Sequence, residues 1–200
     1  EDVAGEKHAD RWIILIAYLM GLSIGVHLLN LLAIPAIVLV YYFKKFDFSW
    51  KGFLISIFTS LVILALLMYG IMPGVVTISS KFDLFFVNTL GLSSNSGMII
   101  HVLLLSALLI LAIKYSLSSA ERVKTASISI AALFFTGIWV VSGSSFFNIF
   151  MLILVSGTIW YLTGTSRNTL NILLTSIAVI LIGYSSNAII VIRASADTPL

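Results

Sequence analysis

The sequence predicts an all-α fold, a polytopic transmembrane helical bundle of about seven spans. Of its 200 residues 60% are hydrophobic and only 10% are charged, whereas about 25% of the residues in an ordinary soluble domain are charged. Five long runs contain no Asp, Glu, Lys or Arg, namely 12–43, 52–80, 84–113, 125–166 and 168–192. A helix needs about 20 apolar residues to cross the hydrocarbon core, and a strand with a lipid-exposed edge is not viable there. These runs therefore predict membrane helices.

Breaker and polar residues divide two of the runs, at 25–30 and at 142–145. The predicted spans are 12–28, 30–43, 52–70, 98–115, 127–141, 146–162 and 169–192. The alternative for the first run is one long, tilted helix over 12–43 with a kink at Pro35, because a membrane helix tolerates proline when its neighbours satisfy the freed carbonyl.

The basic residues give an orientation, because Lys and Arg near span ends are retained in the cytoplasm. Seven spans place nine of them on one side and two, Lys81 and Arg193, on the other. The nine are Lys7, Arg11, Lys44, Lys45, Lys51, Lys114, Arg122, Lys124 and Arg167. The resulting domain prediction is a cytoplasmic N-terminal segment at 1–11, a helical domain at 12–192 with an outer loop at 71–97, and the start of an outer-face tail at 193–200. Both ends are expected to be truncated.

The predicted outer loop, 71–97, is the longest connection. Ile78, Phe82, Phe85, Phe86 and Leu90 recur in it at helical spacing with polar residues between them, which suits a helix lying in the membrane interface. The alternative is a hydrophobic loop packed on the bundle.

Several classes of function are disfavoured by the composition. The chain has no cysteine, which rules out a disulfide framework and a thiolate metal site. The basic residues are scattered between apolar runs, as in membrane proteins, which argues against a nucleic-acid partner. No predicted span carries an acidic residue in its interior, which counts against an ion-coupled transporter. We expect neither a metal nor a cofactor.

Polar groups near the predicted outer face form a candidate site for an anionic headgroup. Lys81 and Arg193 would supply positive charge, and His27, Asn30 and His101 would supply hydrogen bonds. The alternative is that each side chain anchors its own helix end, with Arg193 extending its charge to the interface.

The stretch 9–45, ADRWIILIAYLMGLSIGVHLLNLLAIPAIVLVYYFKK, carries a family resemblance, and 21–35 holds most of it. It resembles a bacterial family of membrane proteins related to the protein O-mannosyltransferases, within the GT-C glycosyltransferase superfamily. The end of the chain, 183–199, looks like that family's exit from its last membrane helix. Between them, 52–182 agrees only in hydrophobic pattern.

The resemblance implies a transferase of the bacterial inner membrane, a multi-pass protein that attaches a sugar to an exported protein at the outer face. Its partners would be membrane lipid, a polyprenyl-phosphate-linked sugar and the exported acceptor, and the five polar residues would bind the donor phosphate. GT-C enzymes generally take their catalytic carboxylate from a first outer loop, which we expect to lie upstream, so Asp83 is not assigned that role. The chain alone is expected to be inactive. The competing hypotheses are an uncoupled transporter or lipid flippase, and a non-catalytic membrane scaffold.

Overall fold

The computed structural model describes residues 9–26, 28–118, 120–141 and 143–196. Side chains are described for the same residues except 9, 25–26, 28 and 187–196. The helices are α1 (Ala9–Val26), α2 (Ala33–Lys45), α3 (Trp50–Ala65), α4 (Met72–Leu90), α5 (Ser96–Leu117), α6 (Arg122–Thr136), α7 (Ser145–Thr165) and α8 (Arg167–Ala196). The described residues contain no strand, so the predicted all-α fold class is confirmed.

Among the described residues, four stretches of helix are long and apolar enough to cross a membrane, which supports a multi-pass membrane protein. They are Trp50–Leu90, Ser96–Leu117, Ser145–Thr165 and Arg167–Ser186. Helices α2 and α6, with 13 and 15 residues, are shorter than the roughly 20 residues that a crossing needs. The count of seven crossings and their orientation therefore stay predictions.

The first apolar run forms two α-helices, as predicted. A 3-10 turn, Leu28–Leu32, separates α1 from α2, and His27 before it lies outside the described residues. Ile16 of α1 and Ile37 of α2 line the same cavity, although one straight helix would hold them about 32 Å apart. The break precedes Pro35, which lies in the first turn of α2, where its missing N–H leaves no hydrogen bond unmade. A single helix kinked at Pro35 is therefore not what forms.

The helix predicted within 71–97 is present as α4, but it continues the preceding helix without the break that was predicted at 71. A π-helical turn, Leu66–Ile71, joins α3 to α4, so that Trp50–Leu90 is one uninterrupted helix of 41 residues. Proline within a helix clashes with the carbonyl four residues earlier, and a π turn immediately before Pro73 relieves such a clash. The helix has about twice the roughly 20 residues that one membrane crossing needs. It ends at Gly91, whose φ of 66° closes α4 with a left-handed residue.

The chain divides into two compact units, of which the first contains the described residues up to 61 and from 172 onwards. In this unit α1 crosses α8 with almost no space between the backbones. A β-carbon on Gly21 would lie 2.8 Å from the Cα of Ile180, and one on Gly183 would lie 2.6 Å from the backbone nitrogen of Leu22. Glycine at both positions lets the helices approach this closely, as small residues do at membrane helix crossings.

The second unit, 62–171, packs consecutive helices from α4 to α7 against one another. Leu105, Leu109, Ala132 and Ile159 are among its buried apolar side chains. The unit is closed at one end by Arg167, whose guanidinium donates to the backbone carbonyls of Ser118 and Ala120, each at 2.6 Å. Both carbonyls lie in the connection between α5 and α6, outside the hydrogen bonds of either helix.

Candidate lipid-binding site

A groove of about 480 Å³ lies in the first unit. It is lined by α1, by the 3-10 turn and by α2, and its walls are largely apolar. The lining residues are Ile16, Leu19, Met20, Ser23, Leu29, Asn30, Ala33 and Ile37. Six of these eight side chains are apolar, and Ser23 and Asn30 are the two polar ones.

Asn30 and Ser23 provide the polar end of this groove. The amide nitrogen Nδ2 of Asn30 donates to the hydroxyl Oγ of Ser23 at 2.7 Å. Asn30 lies in the 3-10 turn, and this bond fixes its side chain over the last turns of α1. Because an amide has two N–H donors and a carbonyl acceptor, Asn30 retains hydrogen-bonding capacity beside the bond to Ser23. The pair therefore offers polar contacts next to an apolar wall.

Two of the predicted site residues cannot be placed at this groove. His27 lies outside the described residues. Arg193 belongs by its backbone to α8, but its side chain is outside the described ones. Their assignment to a headgroup site stays a prediction.

His101 has a structural role instead, which corrects its assignment to the headgroup site. Its side chain is 0% exposed, and both ring nitrogens have protein partners. Nε2 lies 2.9 Å from the carbonyl of Phe135, and Nδ1 lies 2.7 Å from the hydroxyl of Ser79. Since a carbonyl only accepts, Nε2 carries the proton, and in the neutral ring Nδ1 accepts from Ser79. With the ring of Phe82 5.2 Å away, no atom of His101 is accessible to a ligand.

Lys81 and Asp83 lie on α4 and have different surroundings. Lys81 is exposed. Asp83 is half-buried, and its Oδ1 accepts a hydrogen bond from the backbone N–H of Gly97 at 3.1 Å. Gly97 is in the first turn of α5, where N–H groups lack partners within the helix, and the side chain of Asn95 before that helix makes no capping bond. Asp83 therefore caps α5 from the neighbouring helix, and within the second unit Lys81 is the predicted site residue that remains accessible.

Among the residues with described side chains, no three His, Cys, Asp or Glu lie close enough together to hold a metal ion. The polar pair of the groove, an amide and a hydroxyl, is also not a set that favours a transition metal.

One family model matches the chain. It is described as the protein O-mannosyl-transferase TMEM260 N-terminal domain, and it matches residues 1–50. The N-terminal quarter of the chain is thus related to protein O-mannosyltransferases. Neither the search of curated proteins nor the search of solved structures gave a match. The wider assignment, to a bacterial family in the GT-C superfamily, stays a prediction.

The matched residues include the whole groove, from Ile16 to Ile37. Asn30 was predicted from the sequence as a site residue, whereas its partner Ser23 was not. The spacing of seven residues between them carries no signal, because their contact depends on the intervening 3-10 turn. The partner of His101 was missed for a similar reason, since Ser79 is 22 residues away in another helix.

Proposed function

We propose that this chain is part of a membrane glycosyltransferase of the protein O-mannosyltransferase type. It would transfer a sugar from a polyprenyl-phosphate donor to a hydroxyl of an exported protein, on the non-cytoplasmic side of a bacterial inner membrane and as a member of the GT-C superfamily. The observation that carries the proposal is the coincidence of the family match, 1–50, with the groove between α1 and α2.

The described residues would contribute to binding of the donor lipid. The apolar walls of the groove, such as Leu19, Met20 and Ile37, suit a segment of a polyprenyl chain, because burying each CH₂ group is worth about 0.8 kcal/mol. The amide of Asn30 would donate to a phosphate oxygen. A hydrogen bond to a charged group is worth about 1.5–3 kcal/mol, which is sufficient to position the headgroup. His27, Lys81 and Arg193 remain further candidates for phosphate contacts.

The transfer needs a general base, and we assign that role to none of the described residues. The acceptor oxygen attacks the anomeric carbon, the bond from that carbon to the phosphate oxygen breaks, and polyprenyl phosphate leaves. A carboxylate takes the proton of the acceptor hydroxyl. Asp83 is not assigned this role, because its carboxylate caps α5.

The test is donor-dependent sugar transfer by the full-length protein carrying Asn30→Leu, with labelled polyprenyl-phosphate mannose and an acceptor peptide. Loss of one charge-assisted hydrogen bond predicts a KM for the donor about tenfold or more higher. Thr158→Val is the matched control, since the hydroxyl of Thr158 is exposed and bonds only within α7, to the carbonyl of Leu154. A wild-type KM for Asn30→Leu would remove the groove from the proposal. Absence of transfer by the wild-type protein with every polyprenyl-phosphate sugar would refute the function.

A further inference from the structure

The turn between α2 and α3 displays an unusual cluster of exposed aromatic side chains. We call residues 41–53 the aromatic turn. Phe43, Phe46, Phe48 and Trp50 are all exposed in it, Trp50 to 71%. The rings contact one another: Phe48 and Trp50 meet edge to face at 5.5 Å between centroids, and Phe43 and Phe48 stack at 6.2 Å.

The backbone of this turn is not regular between its helices. Residues 46–49 belong to neither α2 nor α3, and unpaired backbone groups do not occur in contact with hydrocarbon. Exposed aromatic rings, by contrast, are favoured at the level of the lipid headgroups. The combination places the aromatic turn at the membrane interface rather than within the hydrocarbon core.

Buried Tyr42 fixes the conformation of the turn through hydrogen bonds to its backbone. It is buried, and its hydroxyl accepts from the N–H of Ser49 at 2.9 Å while lying 3.1 Å from the carbonyl of the same residue. The hydroxyl of Ser49 in turn accepts from the N–H of Gly52 at 3.1 Å, which caps α3. A β-carbon on Gly52 would lie 2.5 Å from the Tyr42 hydroxyl. The exposed rings are therefore mounted on a preorganised loop, and little conformational entropy is lost when they are immobilised.

Lysines surround the exposed rings. Lys44 and Lys51 are exposed on the two helix ends that the turn connects, and Nζ of Lys45 bonds the hydroxyl of Tyr41 at 3.0 Å. The same stretch contains one acidic residue, Asp47. The aromatic turn therefore has a net positive charge next to its exposed rings. A surface of this composition is complementary to anionic lipid headgroups.

We infer that the aromatic turn is a binding site for anionic phospholipids, in which Lys44 and Lys51 contact the phosphates and the rings of Phe43, Phe48 and Trp50 insert between the headgroups. This site is independent of the proposed transferase function and lies outside the groove. Its ligand is the bilayer lipid itself, selected by headgroup charge.

The first experiment measures lipid selectivity with the whole chain reconstituted in phosphatidylcholine vesicles that contain a minor fraction of phosphatidylglycerol. Association of spin-labelled phosphatidylglycerol is compared with that of spin-labelled phosphatidylcholine. The Lys44→Gln/Lys51→Gln variant should lower the preference for the anionic lipid by about fivefold per lysine removed. The matched control, Lys114→Gln/Lys124→Gln, removes two lysines from the other unit. An equal loss in both variants would show attraction by net charge alone and would overturn the site.

The second experiment tests the preorganised loop, with the same selectivity readout. Tyr42→Phe keeps every lysine and every exposed ring but removes the hydroxyl that holds Ser49, so it should lower the preference for phosphatidylglycerol by several fold. Tyr161→Phe, at an exposed tyrosine of α7, is the control. Unchanged selectivity in Tyr42→Phe would overturn the role of the loop conformation.

A third measurement locates the rings and does not depend on the lysine variants. In a protein whose other tryptophans, Trp12, Trp139 and Trp160, are replaced by phenylalanine, Trp50 should be quenched by lipids brominated near the headgroup more than by lipids brominated near the chain end. Circular dichroism establishes that this protein is folded. Quenching of Trp50 by aqueous iodide, with none by brominated lipid, would place the turn in water and refute the inference.

Discussion

Gly74 and Gly137 lie directly against each other in the second unit, and neither has room for a side chain. A β-carbon on either glycine would overlap the carbonyl oxygen of the other. Gly74 is in the first turns of α4, and Gly137 ends α6 in the left-handed conformation, with a φ of 70°. The backbone of α4 thus lies against the end of α6. Any residue larger than glycine would prevent this close approach.

Gly74→Ala is therefore expected to destabilise the protein by about 1–3 kcal/mol, the usual cost of overpacking. Gly157→Ala is the control, because a β-carbon on that helical glycine meets nothing within 4 Å, and alanine there should be neutral or stabilise by up to about 1 kcal/mol. The measurement is the unfolding midpoint of the detergent-solubilised chain. Equal midpoints for the two variants would contradict the contact.

The hydrogen bond between Ser79 and His101 should appear as an energetic coupling. Both side chains are buried, and removing one leaves a buried polar partner unsatisfied, at about 1–3 kcal/mol. A double-mutant cycle of Ser79→Ala and His101→Ala should give a coupling energy of about 0.5–3 kcal/mol. Strict additivity of the two stability losses would show that the residues do not interact.

Asp83 should be replaceable by asparagine but not by leucine. In Asp83→Asn the amide oxygen can still accept from the N–H of Gly97, so we expect wild-type stability and, in the full-length protein, wild-type sugar transfer. Asp83→Leu loses the cap of α5 and should cost about 0.5–2 kcal/mol. A collapse of transfer in Asp83→Asn without any loss of stability would identify Asp83 as a catalytic carboxylate after all.

Arg167 should not be replaceable by lysine. Its guanidinium reaches two carbonyls at once, those of Ser118 and Ala120, and an ammonium group lacks this fork. We expect Arg167→Lys to lose about 1 kcal/mol of stability, the value of one hydrogen bond. The exposed Lys114, changed to glutamine, is the comparison and should stay within about 0.5 kcal/mol of wild type. Thermal unfolding of the two variants in the same detergent measures the difference.

Most of the helices could be predicted from the sequence because each coincides largely with an apolar run that contains few or no charged residues, whereas α4 contains Lys81 and Asp83. The breaks at 25–30 and 142–145 were predicted from their polar and small residues. Helix α1 ends at Val26 and α7 begins at Ser145, whereas α6 already ends at Thr136. A span end was predicted at 70, whereas the helix continues through the π turn Leu66–Ile71 into α4. The π turn that accommodates Pro73 has no recognisable sequence pattern. The continuity of Trp50–Leu90 could therefore be seen only in the structure.

The candidate site was less predictable than the fold. The pattern placed His101 near the predicted outer end of α5, and a polar residue there could equally face a ligand or the core. Which of these holds depends on Ser79 and Phe135, which are 22 and 34 residues away. Asn30 was recognised from its position in a helix break, but the groove beside it requires the relative placement of α1 and α2, which no single-helix pattern contains.

Arg122 and Arg167 are expected to act both during membrane insertion and in the folded structure. Both belong to the nine basic residues that are predicted to lie on the cytoplasmic side and to orient insertion. In the folded chain Arg122 lies over the ring of Trp160, 4.6 Å from its centre, and donates to that residue's carbonyl at 3.0 Å, while Arg167 ties the end of α5 to the start of α8. The two arginines that are predicted to retain these loops in the cytoplasm thus also bind backbone carbonyls in the folded chain. We therefore expect a neutral substitution at either position to alter membrane insertion and folded stability together.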